Sequence, residues 1–450
     1  MESIESKRKI EKIKDFFFKN LKMKLLTLYV ILNVAYVIIS SYLVTIKVFQ
    51  YKNMSKGFIP LLIINILVAI VLVIRKHYKK NIVHLFMGII IVCGIISTIF
   101  AVKQNFALWG IGGRYEGLFM IMYYFSIMFV SSFVNNKHKK FIGVVIVLTG
   151  IIQCIYAICQ INEVEGVYRM IHSSNKIKFR ADGFYIEKTT WATGFATNPN
   201  FFGTYMVLCT TFALGLYIDE KKVVKAIIYA AMSLFLIIGI LISNTMSAVV
   251  GFGAAAIFAI IYCLVNKKFI KIIFYTLATI ILVLCVFKSG KTSLLKDVKK
   301  VSQESTEIAK GNIQENYGTN RFYIWKNTMK IVPQNLLHGV GIDNFYYAFN
   351  GKPLVSKDGR TFYDKVHNEY LQVLITEGLC CLIAYVLMYF VIGVRGTIYT
   401  YKNKEIFYIL PVIGYMVQAF FNISVIEVAP IFYIVLGMCV NLGNKRIEQK

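Results

Sequence analysis

Three short stretches of this chain set Arg, His, Asn and Glu among glycines and aromatics. The first runs Arg321-Phe-Tyr-Ile-Trp325, then Pro333 and His338-Gly339-Val-Gly341. It continues with Asp364-Lys-Val-His367-Asn368-Glu369 and Glu377-Gly378. The second is Trp191-Ala-Thr-Gly194-Phe-Ala-Thr-Asn198-Pro199-Asn200, and the third is Gly112-Gly113-Arg114-Tyr115-Glu116-Gly117. His367 opens an apolar run, so its ring meets the N-terminal end of a helix, where the dipole disfavours the imidazolium. A neutral imidazole is what a general base for a hydroxyl needs. Asn368 can fix the adjoining loop or orient the molecule that carries the hydroxyl. Arg321 and Arg114 present planar, forked donors that suit phosphate oxygens.

The remaining polar positions have structural readings. Asn198 and Pro199 read as the cap and first residue of a helix. Glu377 lies ten residues beyond His367, close to three helical turns, which predicts a similar face and a polar contact in helix packing. Gly112 and Gly113 permit positive φ or close backbone approach beside Arg114. The Arg114-x-Glu116 spacing also allows an ordinary surface ion pair. His338 belongs to a Gly-rich turn, and His172 reads as solvated.

These residues need a frame, and the composition supplies it. The chain has 450 residues, of which 57% are hydrophobic and only 16% charged. A soluble domain is about 45–50% apolar and about 25% charged, so the expectation is an all-α integral membrane protein. The net charge of +27 does not mark a nucleic-acid binder, because the basic residues lie between apolar runs. Windows of about 20 apolar residues give about twelve spans. They fall at 25–46, 58–74, 82–102, 115–134, 141–161, 199–218, 223–243, 247–265, 269–288, 369–394, 405–422 and 425–442.

Lys/Arg clusters in alternate gaps hold more than half of the 50 basic residues. By the positive-inside rule those gaps and both termini are cytoplasmic. The domain reading is then a basic cytoplasmic segment at 1–24, a membrane part at 25–288, a large outside loop at 289–366, and a last membrane part at 367–450. All three polar stretches fall outside and on one face. The nine cysteines sit in apolar runs without metal-ligand spacing and read as small hydrophobes. The spans carry almost no mid-membrane charge, which argues against an ion-coupled transporter or flippase.

The order Arg321-x3-Trp325, Pro333, Gly339-x-Gly341, His367-Asn368-x2-Leu371, with Asn198-Pro199-Asn200 and Arg114-Tyr-Glu-Gly117, resembles the O-antigen ligase and polymerase superfamily. The likeness extends from about residue 100 to 440 and includes the large outside loop before the last three spans. It implies a fold similar to the C-class glycosyltransferases. It also implies transfer of a glycan from an undecaprenyl-pyrophosphate carrier to an acceptor hydroxyl, in the bilayer of the bacterial cytoplasmic membrane, with no metal or other cofactor. The acceptor is a glycan in a ligase, or another lipid-linked repeat in a polymerase.

On this likeness His367 and Asn368 are catalytic, and Arg321 and Arg114 bind the pyrophosphate. Asn198, Pro199, Asn200, Trp325, Gly341 and Glu377 shape the site. Two positions depart from the family: Trp191 stands where an Arg is common, and Ala248 follows Ser247 where many members have Ser-Arg. Arg180, in the same loop as Trp191, is the candidate to replace the missing guanidinium.

Overall fold

The computed structural model describes residues 2–74, 80–164, 167, 176–180, 183–187, 191–312, 314–356, 359 and 361–442. Within them the chain is helical, with two small hairpins. The first half contains α1 (Glu2–Thr45), α2 (Tyr51–Ile74), α3 (Ile82–Ile99), a short α4 (Gln104–Trp109), α5 (Leu118–Ser131) and α6 (Asn136–Ile161). A hairpin of β1 (Lys176–Arg180) and β2 (Gly183–Glu187) follows. Then come α7 (Pro199–Asp219), α8 (Val223–Ile242), α9 (Met246–Val265) and α10 (Phe269–Lys288). The lobe holds α11 (Leu294–Ala309), α12 (Arg321–Ile331) and a hairpin of β3 (Leu354–Val355) and β4 (Phe362–Tyr363). The chain ends in α13 (Glu369–Glu377), α14 (Leu379–Asn403), α15 (Ile409–Gln418) and α16 (Ala429–Val440).

Among the described residues, nine helices are long and apolar enough to cross a membrane. Three shorter apolar helices, Leu118–Ser131, Ile409–Phe421 and Ala429–Val440, stand where the fourth, eleventh and twelfth spans were expected. The protein is an all-α integral membrane protein. Helix α7 is its axis: its whole apolar window is buried, against α6, α8, α9 and α15. Helix α10 is the opposite case. It turns Ile270, Phe274, Ile281 and Leu284 outward, which is stable only where hydrocarbon replaces water.

The tenth span differs from expectation. The apolar run at 369–394 is two helices, with the break at Gly378, and the membrane-length helix is Leu379–Asn403. Gly378 has φ +88°, and a Cβ there would lie 2.7 Å from Leu337 O and 2.8 Å from Leu336 O. Leu379 N donates to Leu336 O at 2.7 Å, so the lobe's own backbone caps the start of α14. Averaged hydropathy does not show this, because apolar segments flank Glu377-Gly378 on both sides. Glu377 therefore lies at the end of α13 and not within a continuous span.

The lobe has a separate small core of Ile324, Val332, Val340, Phe345, Leu354, Tyr363, Val366 and Ile375. This core joins α12, the β3–β4 hairpin and α13, so the segment just before His367 is packed on a scaffold. Gly378→Val should destabilise the protein by about 1–3 kcal/mol, because only glycine holds that backbone without strain. An unchanged melting temperature in detergent would show that the break tolerates a side chain.

Candidate active site

Residues 364–368 cross between the lobe and α13, with ties at 364, 365, 366 and 368. Asp364 takes Arg114 Nε on Oδ2 at 2.6 Å and Nη2 on Oδ1 at 3.3 Å, a forked ion pair. Lys365 Nζ lies 2.9 Å from Asp343 Oδ1 and 3.3 Å from Glu116 Oε2. Val366 N donates to Gln372 Oε1 at 2.9 Å, and Val366 O accepts from Trp325 Nε1 at 3.1 Å. His367 takes φ +57°, a left-handed conformation that non-glycine residues rarely hold. Asn368 caps α13, with Oδ1 accepting from Leu371 N at 3.0 Å. Asn368 thus holds the helix start that presents His367.

The three polar stretches of the sequence meet here. Arg114, on the loop between α4 and α5, pairs with Asp364 and places its guanidinium 5.6 Å from the centre of the Phe201 ring. Phe201 lies in the first turn of α7. That turn is built by Asn198, whose side chain accepts from Asn200 N at 2.9 Å, and by Pro199 at the first helical position. Asn200 O accepts from Asn422 Nδ2 at 3.3 Å, which ties this turn to the chain before α16. Arg321 opens α12 one turn before Trp325, on the same face. Its Nη1 donates to Gly318 O and Thr319 Oγ1, at 3.1 and 2.8 Å. Among the described residues its buried Nε has no hydrogen-bond partner, and no carboxylate pairs with it.

The electrostatics follow from this placement. Burial, then the positive charges of Arg321 and Arg114, lower the His367 pKa to about 4. The imidazole is neutral at physiological pH. Burial works against the Asp364 carboxylate, but the Arg114 guanidinium overcomes it and holds the carboxyl below its usual range. Burial lowers Arg321, since no acid among the described residues compensates it. For Lys365, burial opposes the charge and the Asp343 and Glu116 carboxylates more than restore it, raising its pKa.

The pairing around Arg114 corrects one expectation. Arg114 and Glu116 do not form a surface pair. Glu116 is buried and accepts from Tyr124 OH at 2.9 Å and Ser424 Oγ at 2.6 Å besides meeting Lys365. Positive φ at Tyr115 turns the chain so that 114 and 116 face different partners. Gly341 has φ +107°, and a Cβ there would come within 2.4 Å of Ala101 Cβ. That approach lets the lobe seat Asp343 against the α4–α5 loop, where Ile111 N donates to its Oδ2 at 2.8 Å. Glu377 is apart from His367, buried with Cys381 Sγ 3.2 Å from its Oε2. His338 makes a 2.7 Å contact with Gly339 O and stacks on Phe100. Arg180 ends β1, and its side chain lies outside the described residues, as does all of His172.

Residues 231–386 match the protein family described as O-Antigen ligase. This match, over about a third of the chain, supports the O-antigen ligase and polymerase superfamily. No curated protein matches the chain. The O-antigen ligase match spans Arg321, Trp325, Gly341, Asp343, Lys365, His367 and Glu377, while Arg114 and the Asn198-Pro199-Asn200 turn lie before it. The family acts on lipid-linked glycans in a membrane, and this is a multi-pass membrane enzyme of the ligase or polymerase type.

Sequence reasoning missed Asp343, Lys365 and Glu116 as partners, although all three lie in or beside the quoted motifs. The one available signal was Asp364-Lys365 directly before the His. Between pH 6.5 and 4 an unfolded chain protonates this His and the native chain does not, so this group makes stability fall as pH drops through that window. Carbethoxylation of His367, followed by mass spectrometry, should stay undiminished from pH 7 to 5 and decline only towards pH 4. A decline centred near 6.5 would mean a solvated ring.

Proposed function

We propose that this enzyme transfers a glycan from an undecaprenyl-pyrophosphate carrier to an acceptor hydroxyl, on the extracytoplasmic face of a bacterial cytoplasmic membrane. The observation that carries this reading is a buried His367 in the positive field of Arg321 and Arg114, of which Arg321 has no carboxylate partner among the described residues. Such a place suits a hydroxyl nucleophile on one side and a diphosphate on the other.

In the proposed reaction His367 takes the acceptor's O–H proton. The oxygen attacks the anomeric carbon with inversion, and the bond from that carbon to the diphosphate oxygen breaks with its electron pair on the oxygen. The products are the lengthened glycan and the free polyprenyl diphosphate. Arg321 meets the charge that builds on the leaving group, because its spare donors gain a partner they lack in the free protein. Arg114 is already paired with Asp364, so it contributes a second donor set while staying in position. With two guanidiniums in place the charge is met without a metal ion. Phe201 and the start of α7 form the wall beside Arg114. A soluble acceptor marks a ligase, and a second lipid-linked repeat marks a polymerase.

Purified protein with a polyprenyl-diphosphate oligosaccharide should release free carrier diphosphate in the presence of EDTA. His367→Ala should cut the rate by about 10²–10⁴, the usual contribution of a general base. A normally inserted His367→Ala protein with full activity would sink the assignment. Arg321→Ala should lower activity by about tenfold or more, and Arg321→Lys should restore little of it, because a point charge does not reproduce the fork. Full activity in Arg321→Lys would remove the bidentate role.

A further inference from the structure

The segment that carries His367 is tied at its centre by a buried cation. Lys365 is 4% exposed, Glu116 5% and Asp343 0%. The two carboxylates come from places far apart in the chain. Glu116 opens the way into α5, and Asp343 follows the Gly339-Val-Gly341 turn of the lobe. Each has further anchors. Asp343 Oδ2 takes Ile111 N at 2.8 Å and Glu116 N at 3.4 Å, while Glu116 Oε1 takes Tyr124 OH and Ser424 Oγ. The Lys365 ammonium therefore joins the α4–α5 loop, the lobe and the chain between α15 and α16. Asp364 on one side of it holds Arg114, and Val366 on the other is bonded to Trp325 and Gln372.

We propose that Lys365 is a positioning residue, whose ammonium, shared by Asp343 and Glu116, sets the 364–367 segment so that Arg114 and His367 act on one bound substrate. The proposal rests on the reading of His367 as the base. Two consequences follow from the geometry. The first is mechanical. His367 adopts a left-handed backbone, and such a conformation persists only where the surroundings over-determine it. The ties at 364, 365, 366 and 368 do so. The second is electrostatic. The charges that act on His367 are Arg321 from α12, Arg114 from the α4–α5 loop, and Asp364 and Lys365 from its own segment. Behind Lys365 stand Asp343 and Glu116, and Glu369 begins α13. Loss of the ammonium would leave two carboxylates uncompensated near the ring, which favours imidazolium. That shift shows at acidic pH, whereas at neutral pH the ring stays neutral and the loss of rate comes from the freed 364–367 segment.

The test compares wild type, Lys365→Met and Lys365→Arg as full-length protein in detergent. Two quantities are read: the rate of carrier diphosphate release, and the pH midpoint of His367 carbethoxylation. In Lys365→Met we expect the midpoint to rise by about one unit or more, with kcat at neutral pH down at least about tenfold. Lys365→Arg keeps the charge, so its midpoint should stay with the wild type and much of the rate should return. If Lys365→Met does not insert, Lys365→Met/Asp343→Asn removes the charges as a pair. The 364–367 segment then loses its Lys365–Asp343 tie to the lobe, so the same loss of kcat is expected in that variant. A midpoint that stays put in Lys365→Met, or an active double variant, would overturn the proposal. Activity in His367→Ala would instead remove the reading beneath it, an outcome these Lys365 variants do not produce.

Discussion

Lys365 Nζ lies within 3.3 Å of two carboxylates, and the three side chains are almost wholly excluded from water. An ammonium so placed must be compensated where it stands, since removing one partner of a buried pair costs about 3–5 kcal/mol. That requirement couples parts of the chain that hydropathy alone would leave independent. The α4–α5 loop, the turn at Gly341 and the 364–368 segment before α13 must come together to satisfy the ammonium. Once they do, Arg114 falls against Asp364 and the His367 segment has little freedom left.

The two guanidiniums beside His367 differ in kind. Arg114 has a carboxylate in a forked pair, so its charge is spent largely on holding the loop. Arg321 has only backbone and hydroxyl acceptors, with a buried Nε left over among the described residues. A charge of that sort is costly in the free protein and is relieved by an anion. Burial, and then the same positive field, depress the His367 pKa, so in the proposed reaction the arrangement that suits a diphosphate also keeps the imidazole able to accept a proton.

The lobe is more than a loop between spans. Its small core includes Val366 and Ile375, which flank His367 along the chain, and its backbone at Leu336 supplies the hydrogen bond that starts α14. The break at Gly378 lets the chain leave the lobe core and enter the membrane helices in a new direction. Glu377 sits at that junction, beside Cys381 and away from the imidazole.

The sequence by itself determined the membrane class, nearly every helix, and the residue types of the site. Apolar runs of the right length leave few other folds, and Asn198-Pro199 and Asn368 carry their capping chemistry locally. The spacing of His367 and Arg321 within motifs was likewise legible without coordinates. Partnership was not. Arg114 and Glu116 are two residues apart and suggest each other, yet they meet Asp364 and Lys365 some 250 positions later. The break in the tenth span was hidden because the flanking segments on both sides of Glu377-Gly378 are apolar, and the positive φ of Gly378 goes with the lobe packed against it. Hydropathy and capping act between neighbours in the chain. Compensation of buried charge acts between neighbours in space, and only the tertiary structure decides which those are.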